Sequence, residues 1–349
     1  MARRKLIWHI GLAQAPRAVV PATLEQHRTI LEAQGTPVVA SSEEGRLATL
    51  ELLRTHRQAG VRRRDVEGTW SRICDRVWSH RGTSLLSTPD LCAADKDQLR
   101  LALDPLIGIE THLVVTLDSF SQQLYGGWLA ELRSGATTGW DKYVARMLAE
   151  TREHRQAEQF WAGHELGSIL ARWGWTFHAD RLHVVAHTDL SAQWDQFLAI
   201  AGVGGPAAVV PPYADPAGVA VLRKVNRQLG ETVRADSLDR VTSSDREGSS
   251  MPVVPTTALR PLAQRWASGL ATTGHDLRGS LEMLVDEGDG TGLPGPRDQL
   301  GVAVDALADA LSDNSRLRTT VAELTSERDR LDRKRRKWKR RAKSASQDG

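Results

Sequence analysis

Apolar residues along this chain fall into two patterns that alternate: short unbroken runs, and longer stretches with a period of three to four. Residues 5–11, Lys-Leu-Ile-Trp-His-Ile-Gly, form a compact apolar run stopped by glycine, as expected of a strand buried on both faces of a parallel sheet. A periodic stretch at 22–34 follows, with Leu24, Ile30, Leu31 and Ala33 in helical spacing, and Gly35 and Pro37 mark its end. Residues 36–40 have the composition of a second short strand. Leu47, Leu50 and Leu53 within 43–59, and Trp70, Ile73, Val77 and Trp78 within 66–81, predict two amphipathic helices. Residues 83–87 read as a strand, 90–103 as a helix, and 110–116 as the clearest strand of the chain. A long helical stretch then runs to about Trp173, and 181–187 supplies another strand. Four short buried strands separated by helices predict a three-layer, doubly wound α/β fold with a mostly parallel sheet and right-handed crossovers.

Beyond this core the pattern changes. Residues 202–216 are rich in Gly, Pro and Ala and predict a loop, 217–230 resume helical periodicity, 237–255 are polar and Pro-punctuated, and 260–285 look helical. Residues 286–297 have the composition of a flexible linker. The organisation expected is therefore an α/β domain over 1–285, a linker over 286–299 and a helical tail over 300–349. In the tail, Leu300, Val304, Leu307 and Leu311 form one 4-3-4 seam. Leu317, Val321, Leu324 and Leu331 form a second, with Arg328 at its intervening position. The step of six from Leu311 to Leu317 puts the two out of phase, so a continuous coiled coil needs local overwinding there. Self-association through residues 300–338 is the corresponding expectation.

Charge sharpens the division. The 349 residues carry 46 Lys plus Arg and 43 Asp plus Glu, a net of +3. Residues 328–343 alone hold eleven Lys or Arg and two Asp, a local net of +9, so the rest of the chain carries −6. The basic balance therefore belongs to the tail, and says nothing for nucleic-acid binding by the body. The run at 333–341, with Trp338 inside it, admits two partners, anionic membrane or nucleic acid at residues 328–343, beside a merely solvated helix end. Cys74 and Cys92 are too few for a disulfide framework and suit a reducing, cytoplasmic setting. The apolar run at 6–10 is too short for a secretory signal, and no run approaches the roughly 18–20 residues that cross a bilayer.

Other candidate chemistry is sparse. His164-Glu165 lacks the second histidine of a His-Glu-x-x-His site, since Ser168 stands there. His183 and His187 share a strand face without a third ligand, and the acidic, glycine-rich 286–292 lacks the glutamate and register of an EF-hand loop. No metal is expected. Eleven tryptophans are unusual; Trp161, Trp173 and Trp175 lie close in sequence, and core packing is favoured over stacking on a sugar.

In an α/β sheet, ligands bind beyond the carboxyl ends of the strands, which directs attention to Gly11-Leu-Ala-Gln-Ala-Pro-Arg-Ala18. Here the chain resembles the sulfotransferase-like proteins of actinobacteria, members of the P-loop superfamily, whose chains open with a similar His-Ile-Gly. The lead-in Trp8-His-Ile-Gly-Leu12 carries the likeness. Further segments in the same order add to it: Gly68-Thr-Trp70; Ser87 with Leu91 and Ala93-Ala94; Val114-Val-Thr116 with Gln123 and Trp128; Phe160-Trp161; Leu170-Ala-Arg-Trp-Gly174; 181–185; and Leu222-Arg-Lys-Val-Asn226. The likeness spans roughly residues 5–230, and it is the colinearity of individually weak motifs that carries it. It implies a 3′-phosphoadenylyl sulfate (PAPS) donor and transfer of its sulfuryl group to a hydroxyl or amine.

The chain departs from that family where the chemistry is done. Gly11, Gln14, Ala15, Pro16, Arg17, Ala18, Asp118 and Gly126 stand at donor-binding positions, and Gln14 and Thr88 at catalytic ones. Gln14 replaces the lysine whose charge stabilises the leaving phosphate, and Pro16 removes an N–H donor from the loop. Arg17 and Ala18 replace two hydroxyl residues. Asp118 puts a carboxylate where an arginine binds the 3′-phosphate, and Thr88-Pro89 replaces the His-Glu of the acceptor-activating base. The expectation is a catalytically degenerate pseudoenzyme, a non-catalytic homologue or interaction protein with an unidentified protein partner. One alternative is an active PAPS-dependent sulfotransferase in which Arg17 supplies the cation. The other is an oligomeric adaptor at a membrane surface or on nucleic acid.

Overall fold

The computed structural model describes residues 3–175, 177–229, 251–286 and 292–345. It divides into two compact units, Met1–Pro294 and Gly295–Gly349.

The first unit is built on five strands: β1 (Lys5–His9), β2 (Thr83–Ser87), β3 (Glu110–Leu117), β4 (Leu182–Ala186) and β5 (Asp276–Gly279). All pair in parallel, in the order β2-β1-β3-β4-β5. Because side chains alternate across a strand, each central strand feeds two cores. Leu6, Trp8, Leu86, Leu113, Val115, Leu182 and Val184 face one, and Ile7, Leu85, Val114 and Val185 face the other. Burial on both sides is what made these runs continuously apolar.

The helices before β2 are α1 (Val19–Gln26), α2 (Arg28–Ala33), α3 (Ser42–Leu52), the single turn α4 (Arg63–Val66) and α5 (Thr69–Ser79). Next come α6 (Lys96–Leu103), α7 (Phe120–Arg133), α8 (Trp140–Met147), α9 (Arg155–His164) and α10 (Leu166–Gly174). The unit is completed by α11 (Leu190–Ala201), α12 (Pro216–Leu229) and α13 (Thr256–Thr273). Val19, Val20 and Leu24 of α1, Leu31 of α2, and Trp194 and Phe197 of α11 close the smaller core. The larger core takes the remaining helices and most of the tryptophans. Trp8 stacks on Trp70 at 5.1 Å and meets Trp173 edge-on at 5.4 Å. Trp161 and Trp173 are buried, while Trp175 is half exposed beneath Arg100.

Several elements differ from the pattern-based expectation. Residues 36–40 form no strand: Val38 makes one isolated bridge to Leu85, and Pro37, which has no N–H, prevents a ladder. The helix expected over 22–34 breaks at His27. The helix expected over 90–103 begins as a 3-10 turn at Pro89–Ala93 and restarts at Asp95, whose side chain caps α6 in a capping box with Gln98. The long helical stretch before Trp173 is four helices, α7 to α10. Within 260–285, expected as helix, lies β5. It is a half-exposed edge strand whose only apolar side chain is Leu277, so no hydrophobic run announces it. Polar contacts fasten it instead: Asp276 Oδ2 lies 2.7 Å from His183 Nδ1 and accepts from Arg278 Nε at 2.9 Å.

The second unit is one helix, α14 (Pro296–Ala345), which starts inside the span expected as linker and runs without interruption through the out-of-phase step. Residues 237–250, the linker core 287–291 and the side chains of the basic run from residue 339 onward lie outside the described residues. No helix among the described residues is long and apolar enough to cross a membrane.

Candidate functional site

The carboxyl edge of the sheet is tied across three strands by one imidazole. His9 Nδ1 lies 2.8 Å from Ser87 Oγ and Nε2 2.9 Å from Thr116 Oγ1, and burial pulls its pKa down to about 3, so the ring is neutral. The chain then turns at Gly11, with φ +46°. A Cβ there would stand 3.0 Å from Pro89 Cβ and 3.1 Å from the His9 ring, so glycine is required on both counts. Thr88, at the position of an acceptor-activating base, is buried, and its hydroxyl accepts from Trp8 Nε1 at 2.7 Å. It serves as the partner of a core indole.

The loop from Gly11 to Ala18 is held from several directions. Ala13 N–H donates to Gly163 O at 3.4 Å. Gln14, at φ +56°, turns its side chain to solvent, and its N–H donates to Asp90 Oδ1 at 3.1 Å. Asp90 keeps a solvent-exposed edge; the packed loop around its carboxyl raises its pKa, and the Gln14 N–H opposes that. Ala15 and Pro16 are half-buried, with the backbone of α7 against them. A Cβ on Gly126 would lie 2.2 Å from Gln14 O and 2.9 Å from Pro16 Cδ. Beneath the loop, His164 donates from Nδ1–H to Phe160 O (2.8 Å) and stacks on the Phe160 ring at 3.9 Å. Burial pulls its pKa down to about 4.

Arg17 donates from Nε to Pro211 O at 2.7 Å, and its guanidinium sits 4.0 Å over the Tyr213 ring. Gln122 Nε2 donates to Tyr213 Oη and Tyr125 Oη to Ala214 O, so the segment at 202–216, a loop as expected, is fastened beside the site. Ala18 precedes α1 without a capping side chain. Asp118 follows β3 directly and is buried; its Oδ1 accepts from Gln193 Nε2 at 3.1 Å. Burial pushes its pKa up to about 6, against the Gln193 bond and the charge of Arg17.

The expected positions thus meet in space, but in an arrangement that does not fit PAPS. One loop amide is spent on Asp90, a second on Gly163, and proline removes a third; Asp118 adds a buried carboxyl, which repels an anion when ionised. His164, weighed in the sequence only as a metal-site candidate, joins the cluster, and Asp90, Gly163 and Gln193, which the sequence reading missed, complete it. They come from distant segments, and no local motif marks them.

Elsewhere, His164 and Glu165 diverge: Glu165 accepts from Arg152 Nη1 at 2.8 Å and from Trp266 Nε1 at 2.6 Å. These two carboxylate contacts lie beside a cavity of about 880 Å³ between α10 and α13, away from the loop, floored by Leu166, Leu170, Phe177 and Leu270. His183 pairs across the sheet with His112 (2.9 Å) rather than with His187. Among the described residues no group of three His, Cys, Asp or Glu could hold a metal ion. No family model, no curated protein and no solved structure matches this chain.

Proposed function

We propose that this chain is a sulfotransferase-like protein of the P-loop superfamily whose donor loop is closed by its own side chains, and that it acts as a pseudoenzyme, through binding partners rather than group transfer. The family half of this reading rests on the colinear segments between residues 5 and 230, and is supported by a β1–loop–α1 unit in a parallel sheet. The functional half rests on one observation above the others: the Asp90 carboxylate sits on the Gln14 amide, the group that would greet an anion. The active alternative through Arg17 is disfavoured, because that guanidinium is already committed to Pro211 O and the Tyr213 ring.

Calorimetric titration with 3′-phosphoadenosine 5′-phosphate, the stable product of PAPS chemistry, tests the reading. The wild-type chain is expected to give no binding heat, and an Asp90→Asn, Asp118→Asn variant, which removes both facing negative charges, to gain weak binding. Wild-type binding in the micromolar range would sink the pseudoenzyme reading.

A further inference from the structure

We propose that α14 pairs antiparallel with the α14 of a second copy of this chain, about a twofold axis at Val321; this goes beyond the reading above and does not rest on it. The nine large apolar side chains from Leu300 to Trp338 at the seam positions are each 53–69% exposed, on a helix of 50 residues that is otherwise polar along most of its length. Their spacing of three and four winds them into one slow left-handed seam, which a partner helix can follow by supercoiling. The step of six at Leu311 to Leu317 resolves into two steps of three, with Asn314 on the seam between them, and the helix stays continuous there. One apolar stripe therefore runs from Leu300 to Trp338, interrupted by Asn314, Arg328 and Arg335.

Those three polar positions select the occupant and its direction. In a parallel pair each would face itself, arginine against arginine twice, and the two blocks of net +9 at 328–343 would lie side by side. Turned antiparallel about Val321, Leu311 meets the partner's Leu331 and Val304 the partner's Trp338, while Leu317 falls within one residue of the partner's Leu324. Asn314 then meets the partner's Arg328, polar with polar. Only Arg335 opposes an apolar side chain, the partner's Leu307, over which its aliphatic stem can lie. The same turn sets residues 296–315, with four Asp and one Arg, along the partner's basic block. Seam matching and charge complementarity thus favour one arrangement of this chain with itself.

Cysteine cross-linking of the full chain tests both halves. Cys74 and Cys92 are buried, and burial pushes the Cys74 thiol up to about 12 and Cys92 up as well, so introduced cysteines report alone. In the antiparallel pair the two Leu311 positions lie roughly 30 Å apart, at 1.5 Å per residue. Leu311→Cys alone and Leu331→Cys alone are expected to give no disulfide dimer on oxidation, and their equimolar mixture to give one. Sedimentation should show a wild-type dimer at micromolar concentration, a Val321→Asp variant at least about 100-fold weaker, and weakening of the wild-type pair by salt. A wild-type monomer, self-linking by Leu311→Cys, an unlinked mixture, or a pair tightened by salt overturns the proposal.

Discussion

Asp118 carries the most quantitative consequence of the closed loop. The residue is 6% exposed, and burial raises the pKa of its carboxyl from 3.8 to about 6 in the folded chain. The sign follows directly. In the unfolded chain the group ionises near pH 4, in the folded chain near pH 6, so between those values the unfolded state binds fewer protons and stability falls as pH rises. Below about pH 4 both states are protonated and no penalty exists; above pH 6 the full penalty is present. A shift of roughly two units corresponds to about 3 kcal/mol. Asp118→Asn keeps an oxygen to accept from Gln193 Nε2 and removes the charge, so it should stabilise the protein by up to about 3 kcal/mol at pH 7.5 and hardly at all at pH 4.

Denaturant unfolding of both proteins, followed by tryptophan fluorescence across this pH range, measures the difference. His9 and His164 have pKa values lowered to about 3 and about 4, so they destabilise the fold as pH drops below the unfolded histidine value. That contribution is common to both proteins and cancels in the difference. A variant less stable than wild type at pH 7.5 would refute the reasoning, because Asp118 would then be an ionised partner of Arg17. A gap that did not change with pH would refute it equally.

Three further predictions concern packing and the sheet edge. Gly126→Ala drives a methyl group onto Gln14 O and Pro16 Cδ, and should cost about 1–3 kcal/mol by urea unfolding. Gly167→Ala in α10, where nothing lies within 4 Å of the added carbon, should be neutral or stabilising by up to about 1 kcal/mol. Along the start of β3 to β5, Glu110–His112–His183–Asp276 make three contacts of 3.3, 2.9 and 2.7 Å, which need three ring N–H groups, whereas two neutral imidazoles supply two. Burial lowers the pKa of both rings, so nitrogen-15 NMR at pH 7.5 should show two ring N–H protons, with the long His112–Glu110 contact unprotonated; a third would mean an imidazolium held in the sheet.

What the sequence made legible follows from which interactions are local. β1 to β4 declared themselves because a strand covered on both faces carries apolar side chains at successive positions, as in Leu6-Ile-Trp8, Leu85-Leu86, Leu113-Val-Val115 and Val184-Val185. β5 did not, because its place is held by Asp276 and Arg278 reaching side chains on other strands and helices, and a polar edge strand has no period to detect. The helix boundaries moved wherever a cap decided them, at Asp95 and Ser119, for example, rather than the hydrophobic stripe. The seam of α14 was legible residue by residue, since its apolar positions all stand exposed on one helix and the three-four spacing describes them directly.

The loop itself shows the limit most clearly. Its location was given by Gly11 at the end of an apolar run, and Gln14, Pro16 and Asp118 led to the expectation of weakened anion binding. The constraints that hold it arrive from Asp90, Gly126, Gly163 and Pro211, segments separated by tens to nearly two hundred residues, and each acts on a different atom of the loop. A lysine placed at Gln14 would supply charge but leave the amide on Asp90 and the α7 backbone against the Gln14 carbonyl. A loop constrained at four points does not reopen through one substitution. The informative change is therefore the removal of the facing carboxylates, which alters the electrostatics of the loop without disturbing the packing that shapes it.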